Sequence, residues 1–175
     1  MIELFAGIVQ LQYGQAYVEL DGAFDGNMEN SFIGQSNGLC GAAASEILFL
    51  VTGLHTGPVG LTVNLFDAAP ELDQEWEEVV EVSFRAPRGE ITLMEWGADQ
   101  GVRIAVPSGE YRARCYGVDM EEANALDTNI TEVPVDRYRL DLWLAPSAPD
   151  RVIKQTSEVA AYWHDWAGTL ASPER

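Results

Sequence analysis

Basic residues are scarce in this sequence, and none occurs before Arg85. The 175 residues include 28 acids but only ten basic residues, of which nine are Arg and one is Lys154, so the net charge is −18. Residues 1–84 carry 13 acids and no basic residue. A field of that sign repels phosphate backbones, because nucleic-acid binding depends on cationic neutralisation. We therefore expect no direct nucleic-acid binding. The charge serves either attraction to a basic protein partner or solubility alone.

Cysteines and long apolar runs are equally scarce. Cys40 and Cys115 stand 75 positions apart with no close cysteine pair, which excludes a structural zinc site and predicts two buried, reduced thiols. The longest strongly apolar segment, residues 47–52, has strand length and is far shorter than the ~18 residues of a membrane span. The sequence begins MIEL with no basic n-region, so we expect no secretory signal, no membrane association and a cytoplasmic location.

Several catalytic and ligand-binding motifs are missing as well, including H-E-x-x-H, the phosphate-binding G-x-x-x-x-G-K-[ST] and G-x-G-x-x-G. Residues 25–29, DGNME, lack the glycine and the terminal glutamate of a calcium loop. His164 and Asp165 are adjacent in a predicted helix, where neighbouring side chains do not face each other. We therefore predict no metal ion, no cofactor and no catalytic residue. A hydrolase with two carboxylates brought together only in space is the alternative.

Short alternating segments between turn residues dominate the rest of the chain. Residues 102–106 and 111–115 both alternate apolar with polar side chains, and Pro107 and Gly109 lie in the connection between them. Alternation on both sides of a Pro/Gly turn predicts a β-hairpin. Further strands are predicted at residues 2–11, 13–20, 46–51, 60–67, 80–85, 91–96, 137–144 and 151–155.

Helices are few and short in this prediction. Residues 120–126 favour one helix, and residues 157–167 favour a C-terminal helix with Ser157 as its N-cap. The glycine-rich residues 21–44 are predicted to form a long loop or two short excursions. We expect a mainly β protein, an antiparallel β-sandwich of about nine short strands with one or two short helices. Residues 1–155 form the β-sandwich domain, and residues 156–175 form a helical tail that packs on it.

The most acidic stretch is residues 67–81, which hold seven acids, no basic residue and a central tryptophan. A solvated rim is the usual fate of such a run, whereas a large aromatic residue ringed by charge is typical of an interface hot spot. We predict a docking patch for a basic partner that consists of Asp73, Glu75, Trp76, Glu77, Glu78, Glu121 and Glu122. The solvated rim is the alternative.

A family resemblance rests on residues 80–118. An apolar strand, VEVSF, begins at residue 80, and the block VRIAVPSGEYRARCYGV follows at residues 102–118. With the closing strand VDRYRLDLW at residues 135–143, the sequence resembles the competence protein J family, small acidic inhibitors of a DNA-entry nuclease. The resemblance implies an inhibitor or immunity-type protein, an acidic β-sandwich that occupies the basic cleft of a nuclease or toxin. A non-catalytic assembly module with an acidic docking face is the alternative.

Overall fold

The computed structural model describes residues 1–20, 27–44, 46–95, 97–98 and 100–170. In chain order the elements are β1 (Ile2–Leu11), β2 (Gln15–Glu19), α1 (Met28–Phe32), β3 (Cys40–Gly41), β4 (Ile47–Val51), β5 (Gly57–Phe66), β6 (Glu78–Ala86), β7 (Glu90–Glu95), β8 (Val102–Ala105), β9 (Gly109–Val118), α2 (Met120–Leu126), β10 (Arg137–Leu144), β11 (Arg151–Lys154) and α3 (Glu158–Thr169). One sheet has six strands in the order β1-β5-β10-β9-β6-β11. The other has five in the order β3-β4-β2-β7-β8.

The predicted mainly β fold with short helices and a C-terminal helix is confirmed. Apolar side chains of both sheets join in one core, for example Val82 of β6, Leu140 of β10 and Leu48 of β4. Two details differ from the expectation. The described residues contain eleven strands instead of about nine, and β10 runs parallel to β5, with Leu140 opposite Val63. Alternation predicts which face a side chain occupies, but it carries no information on the direction of a neighbouring strand.

The hairpin predicted around Pro107 is wrong. β8 pairs antiparallel with β7 in the five-stranded sheet, whereas β9 lies between β6 and β10 in the six-stranded sheet. The short link between β8 and β9 therefore crosses from one sheet to the other. The Tyr111 hydroxyl donates a hydrogen bond to the Pro107 carbonyl, and the Ser108 hydroxyl donates one to the Pro87 carbonyl, which holds the link in place.

The two cysteines lie in the core between the sheets. Cys40 comes from β3 of one sheet and Cys115 from β9 of the other, and both are buried and free of any disulfide, as predicted. Burial, together with a hydrogen bond to Cys40, raises the pKa of the Cys115 thiol. Both side chains pack as small apolar groups in the core.

The glycine-rich segment is more ordered than a long loop where the structure describes it, from residue 27 onward. It forms α1, whose N-cap Asn27 accepts a hydrogen bond from the Asn30 N–H, and then the short strand β3. A Cβ atom on Gly38 would lie 1.9 Å from the Trp163 carbonyl oxygen, so only glycine permits this approach to α3. Residues 25–29, for which the sequence argues against a calcium loop, lie partly outside the described residues.

The two later helices begin where the sequence predicts them. The Ser157 side chain accepts a hydrogen bond from the Ala160 N–H, which confirms Ser157 as the N-cap of α3. The α3 residue His164 accepts a hydrogen bond from the Gly38 N–H at Nδ1, and this contact fastens the helix to the glycine-rich segment. Among the described helices, none has the length and apolar character needed to cross a membrane.

Candidate partner-binding surface

Two residues of the predicted patch, Asp73 and Trp76, point inward onto the six-stranded sheet. Asp73 Oδ2 accepts hydrogen bonds from Arg139 Nη1 at 2.8 Å and from the Trp76 indole N–H at 3.2 Å. The Arg139 guanidinium lies 5.1 Å from the centroid of the Trp76 ring and 4.1 Å from that of Tyr116. The hydrogen bond from Arg139 lowers the pKa of Asp73. This half-buried pair fixes the acidic segment to the sheet, so Trp76 is not a free aromatic anchor.

Glu78 is not on the surface at all, since its exposed fraction is 0%. Its carboxylate accepts hydrogen bonds from the N–H groups of Thr156, at 3.1 Å, and Ser157, at 2.7 Å. Burial raises the pKa of Glu78, and the hydrogen bonds from these N–H groups offset part of that rise. Glu78 therefore stabilises the start of α3, where backbone N–H groups lack partners within the helix.

The other four predicted residues are accessible, and three of them, Glu77, Glu121 and Glu122, lie near the start of α2. Glu77 Oε2 accepts a hydrogen bond from the N–H of Asp119, the residue that precedes α2. Glu121 in the first turn of α2 is exposed and accepts a bond from the Val159 N–H at 3.3 Å. Glu75 and Glu122 are exposed. The structure thus brings the two acidic segments, which are far apart in the sequence, to one end of the molecule.

Three exposed apolar residues follow at the same end, and the sequence reasoning missed them. Leu126 is 47% exposed, Ile130 94% and Val133 72%, and they alternate along the chain with the exposed acids Asp127 and Glu132. The sequence offered only apolar residues at the end of the predicted helix at residues 120–126 and just after it. We use the name acidic end for the surface formed by Glu75, Glu77, Glu121, Glu122, Leu126, Asp127, Ile130, Glu132 and Val133.

The loop that carries Ile130 is held in shape by buried Asn129. The Asn129 N–H donates to the Thr56 carbonyl at 2.8 Å, and its side-chain amide donates to the Val133 carbonyl at 2.9 Å. Its Oδ1 accepts from both the N–H and the hydroxyl of Thr131. The exposed side chains of Ile130 and Val133 therefore project from a braced loop, which lowers the entropy lost when a partner binds.

Four of the ten basic residues are engaged elsewhere, on the outer face of the six-stranded sheet. Glu81 is bound by Arg114 at 2.7 Å, Arg112 at 3.3 Å and Arg151 at 2.5 Å. Burial opposes ionisation of Glu81, but the hydrogen bonds from these arginines outweigh it and lower its pKa. Beside them, Arg139 lies between Asp73 and Asp141, at 2.8 and 3.3 Å. We call the set of Asp73, Glu81, Arg112, Arg114, Arg139, Asp141 and Arg151 the ion-pair layer.

One cation close to the acidic end is Arg137, whose guanidinium lies 3.7 Å from Asp119. Lys154 donates instead to the carbonyl oxygens of Gln74 and Trp76. In the part of the chain that the structure describes, the ion pairs do not involve Glu75, Glu121, Glu122, Asp127 or Glu132. Among the described residues no group of three or more His, Cys, Asp or Glu side chains is placed to hold a metal ion.

Residues 34–38, GQSNG, match the G-x-S-x-G pattern of serine hydrolases. The geometry does not fit that chemistry. The Ser36 hydroxyl donates to Asp150 Oδ2 at 2.9 Å, while the nearby His164 receives the Gly38 N–H, so the hydroxyl has no bond to a histidine. Asp150 also accepts from the Ser36 N–H and from Asn37. The pattern here is a turn organised around a carboxylate.

Comparison with protein-family models gives no match, and no curated protein matches the sequence. The structure, however, matches solved ones. The chain shares its fold with ComJ. ComJ from Bacillus subtilis is an inhibitor of the DNA degrading activity of NucA. The match to its crystal structure covers 98% of the ComJ chain and 82% of this one, with a TM-score of 0.55 and 16% sequence identity. A second solved structure, crocagin biosynthetic gene J, has a TM-score of 0.47 and 18% identity, over 83% of this chain and all of its own.

The match to ComJ confirms the resemblance drawn from the sequence at the level of the fold. The residues that carry that resemblance span little beyond β6 to β9, whereas the structural match extends over most of the chain. At 16% identity it shows fold alone. The roles of side chains at the acidic end therefore have to be argued from this chain's own contacts and charges.

Proposed function

We propose that this chain is a protein inhibitor that binds and blocks a basic enzyme such as a nuclease or toxin. The observation that carries the proposal is the acidic end, where exposed Leu126, Ile130 and Val133 are interspersed along the chain with the exposed acids Asp127 and Glu132. Interfaces combine apolar anchors at the centre with a charged, solvated rim, and this surface has both. A fold shared with ComJ, a nuclease inhibitor, supports the same function.

The physical mechanism is competition for a cleft that evolved to hold phosphates. Such a cleft is lined with cations, and a net charge of −18 steers the two proteins together at rates that uncharged surfaces do not reach. Once docked, the carboxylates of Glu121, Glu122, Asp127 and Glu132 occupy the positions of backbone phosphates. The exposed side chains of Ile130 and Val133 supply apolar contacts that persist when salt screens the charges.

A second candidate function is a non-catalytic assembly module, and the edge strand β1 favours it. β1 is ten residues long, pairs only with β5 among the described strands, and contains Glu3 as its single charged residue. Its Ile2 and Ile8 side chains are 60% and 51% exposed. A long apolar edge of this kind is a template for pairing with a strand of another chain.

Capture followed by an activity assay separates the two functions. The full chain is immobilised, source-cell lysate is passed over it, and bound proteins are eluted with rising salt. The proposal expects a basic nuclease or toxin in the salt eluate. Adding the chain back at one molecule per enzyme molecule should abolish the activity of that enzyme on DNA or on its other substrate. A partner that binds without losing activity, or self-association through β1, supports the assembly module instead.

Charge variants then test the acidic end itself. In the variant E121Q/E122Q/D127N/E132Q we expect the association rate with the captured enzyme to fall about tenfold or more at low salt, with a smaller fall at high salt. The matched control is E3Q/E90Q/E110Q/D165N, which makes the same charge change at exposed positions elsewhere. An equal fall in both variants would show that net charge alone steers binding and would remove the acidic end from the proposal.

A further inference from the structure

Three arginines meet in a cleft on the outer face of the six-stranded sheet. Arg112 and Arg114 come from β9 and Arg151 from β11. The cleft encloses about 440 Å³ and its wall is completed by Ala69, Glu81, Trp143, Pro146, Ala148 and Pro149. The chain has ten basic residues and 28 acids, so a cleft lined by three arginines has a local charge opposite to that of the protein as a whole. Solubility does not explain why these arginines are concentrated in one place.

The carboxylates around the cleft do not balance these arginines. Glu81 is the single acidic residue of the wall, and it faces all three guanidinium groups. Arg114 also stands opposite Asp141 in the β9–β10 pairing, but Asp141 is shared with Arg139. Over the whole ion-pair layer, Arg112, Arg114, Arg139 and Arg151 are set against Asp73, Glu81 and Asp141. Because arginine stays charged in proteins, positive charges outnumber negative ones both in the wall of the cleft and in the whole ion-pair layer.

The surplus is partly buried, which makes it costly unless it is compensated. The side chains of Arg112 and Arg114 are only 7% and 9% exposed. Arg112 Nη1 donates to two neutral oxygens, the Ser83 hydroxyl at 2.9 Å and the Ala148 carbonyl at 2.8 Å. Neutral acceptors satisfy its N–H groups without neutralising its charge. An anion that enters the cleft would therefore stabilise this buried positive charge.

Arg151 provides the accessible donors. Its side chain is 62% exposed, and Nη2 bonds to Glu81, while no hydrogen bond of its Nε or Nη1 to another described residue is found. The Arg114 guanidinium is held 5.3 Å from the centroid of the Trp143 ring, so the inner wall is preorganised. A guanidinium with free, forked donors above a fixed positive wall matches the oxygens of a carboxylate or phosphate.

We propose that this cleft binds a small oxyanion, a carboxylate or a phosphate, through Arg112, Arg114 and Arg151. The site is distinct from the acidic end and has the opposite local charge. It therefore binds its ligand whether or not the chain inhibits a nuclease or toxin. An oxyanion there would also complete the charge balance around Glu81, so its binding should stabilise the fold.

The test is calorimetric titration of the full chain at low ionic strength with two probes, inorganic phosphate and citrate. We expect saturable one-to-one binding of at least one probe and a parallel rise of the melting temperature. Phosphate bound in preference to citrate identifies a phosphate site, and the reverse identifies a carboxylate site. Absence of saturable binding of both probes up to millimolar concentration would overturn the proposal.

Three variants assign any binding to the cleft. Arg151→Gln should weaken the affinity about tenfold or more, whereas Arg103→Gln, the same change at an arginine that is 72% exposed on the five-stranded sheet, should leave it within about twofold. Ala148→Asp adds a carboxylate to the wall and should abolish binding while raising the melting temperature. Equal affinities in wild type, Arg151→Gln and Ala148→Asp would place the anion elsewhere and sink the idea. Activity assays on the captured enzyme report on the proposed inhibition separately, since none of these residues belongs to the acidic end.

Discussion

Acids in the ion-pair layer and acids at the acidic end stand in opposite situations. Glu81 is 2% exposed and touches three arginines, whereas Glu122 is exposed in a helix with no basic residue. The arginines are concentrated where carboxylates are buried, because a buried charge without a partner costs far more than an exposed one. The arginines of the ion-pair layer are thus engaged with carboxylates there, whereas buried Glu78 is satisfied by backbone N–H groups.

The largest expected effect comes from breaking the ion-pair layer at its centre. Glu81→Gln leaves Arg112 and Arg114 buried beside a neutral side chain and should lower the free energy of unfolding by about 3–5 kcal/mol. Glu90→Gln is the matched control, because Glu90 pairs with Arg103 at 3.9 Å on an exposed surface and should cost only about 0–1 kcal/mol. Urea denaturation of both variants measures the difference. Similar small losses in both would mean that the buried layer contributes no more than a surface ion pair.

Acid titration sharpens the same comparison. The pKa of Glu81 is lowered in the folded protein from its ordinary value of 4.5, so its contribution to stability is complete above that pH and is lost as the pH falls through the folded-state value. The gap in unfolding free energy between wild type and Glu81→Gln should be constant from pH 7 to about 5 and then narrow. Denaturation curves recorded at intervals down to pH 3 measure it. A gap that stays constant would contradict the assigned shift.

A histidine outside both regions gives a pH effect in a different window. Burial lowers the pKa of His164 below its usual 6.5, although Asp165 and Asp150 oppose this, and its Nδ1 accepts the Gly38 N–H. The folded state therefore favours the neutral ring, and this contribution to stability is lost as the pH falls from 6.5 toward the folded-state value. His164→Asn, which keeps a neutral acceptor, should flatten the pH dependence of the melting temperature between pH 7 and 5. The same slope in wild type and variant would assign that slope to other groups.

The smallest expected effect is on the acidic end. E121Q/E122Q/D127N/E132Q should change the free energy of unfolding by about 0.5 kcal/mol or less per site, because these side chains are exposed. Glu121 is the site with the most to lose, since it accepts the Val159 N–H near the start of α3. Thermal and urea denaturation check this value. A loss comparable with that of Glu81→Gln would show that the acidic end is structural.

Much of the secondary structure could be predicted from the sequence, because it depends on residues that are neighbours in the chain. The predicted strand at residues 137–144 coincides with β10, and Ser157 caps α3 as its residue type predicts. The strand-pairing partners were not legible. Residues 102–106 and 111–115 alternate as a hairpin would, but they belong to different sheets, since alternation depends on neighbours along the chain and pairing depends on contacts across it.

The candidate site was likewise only partly predictable from the sequence. The sequence shows that residues 67–81 are acidic, but it does not show that Glu78 is buried under α3 or that Trp76 is covered by Arg139. Nor does it show that Glu77 lies against the residue before α2, which brings the two acidic segments together. Ile130 and Val133 were visible as apolar residues in a loop, and only the braced loop conformation makes them an exposed surface.

By itself, the sequence determined that this protein is mainly β, strongly acidic and capped by a C-terminal helix, because strand alternation, charge and helix caps are properties of adjacent residues. The tertiary structure alone decided which acids are neutralised. Glu81 and Glu78 are close in the chain to Glu75, yet the first two are buried and hydrogen-bonded and the third is exposed. The deciding quantity is the cost of removing a carboxylate from water, and that cost is set by the distant residues that cover it.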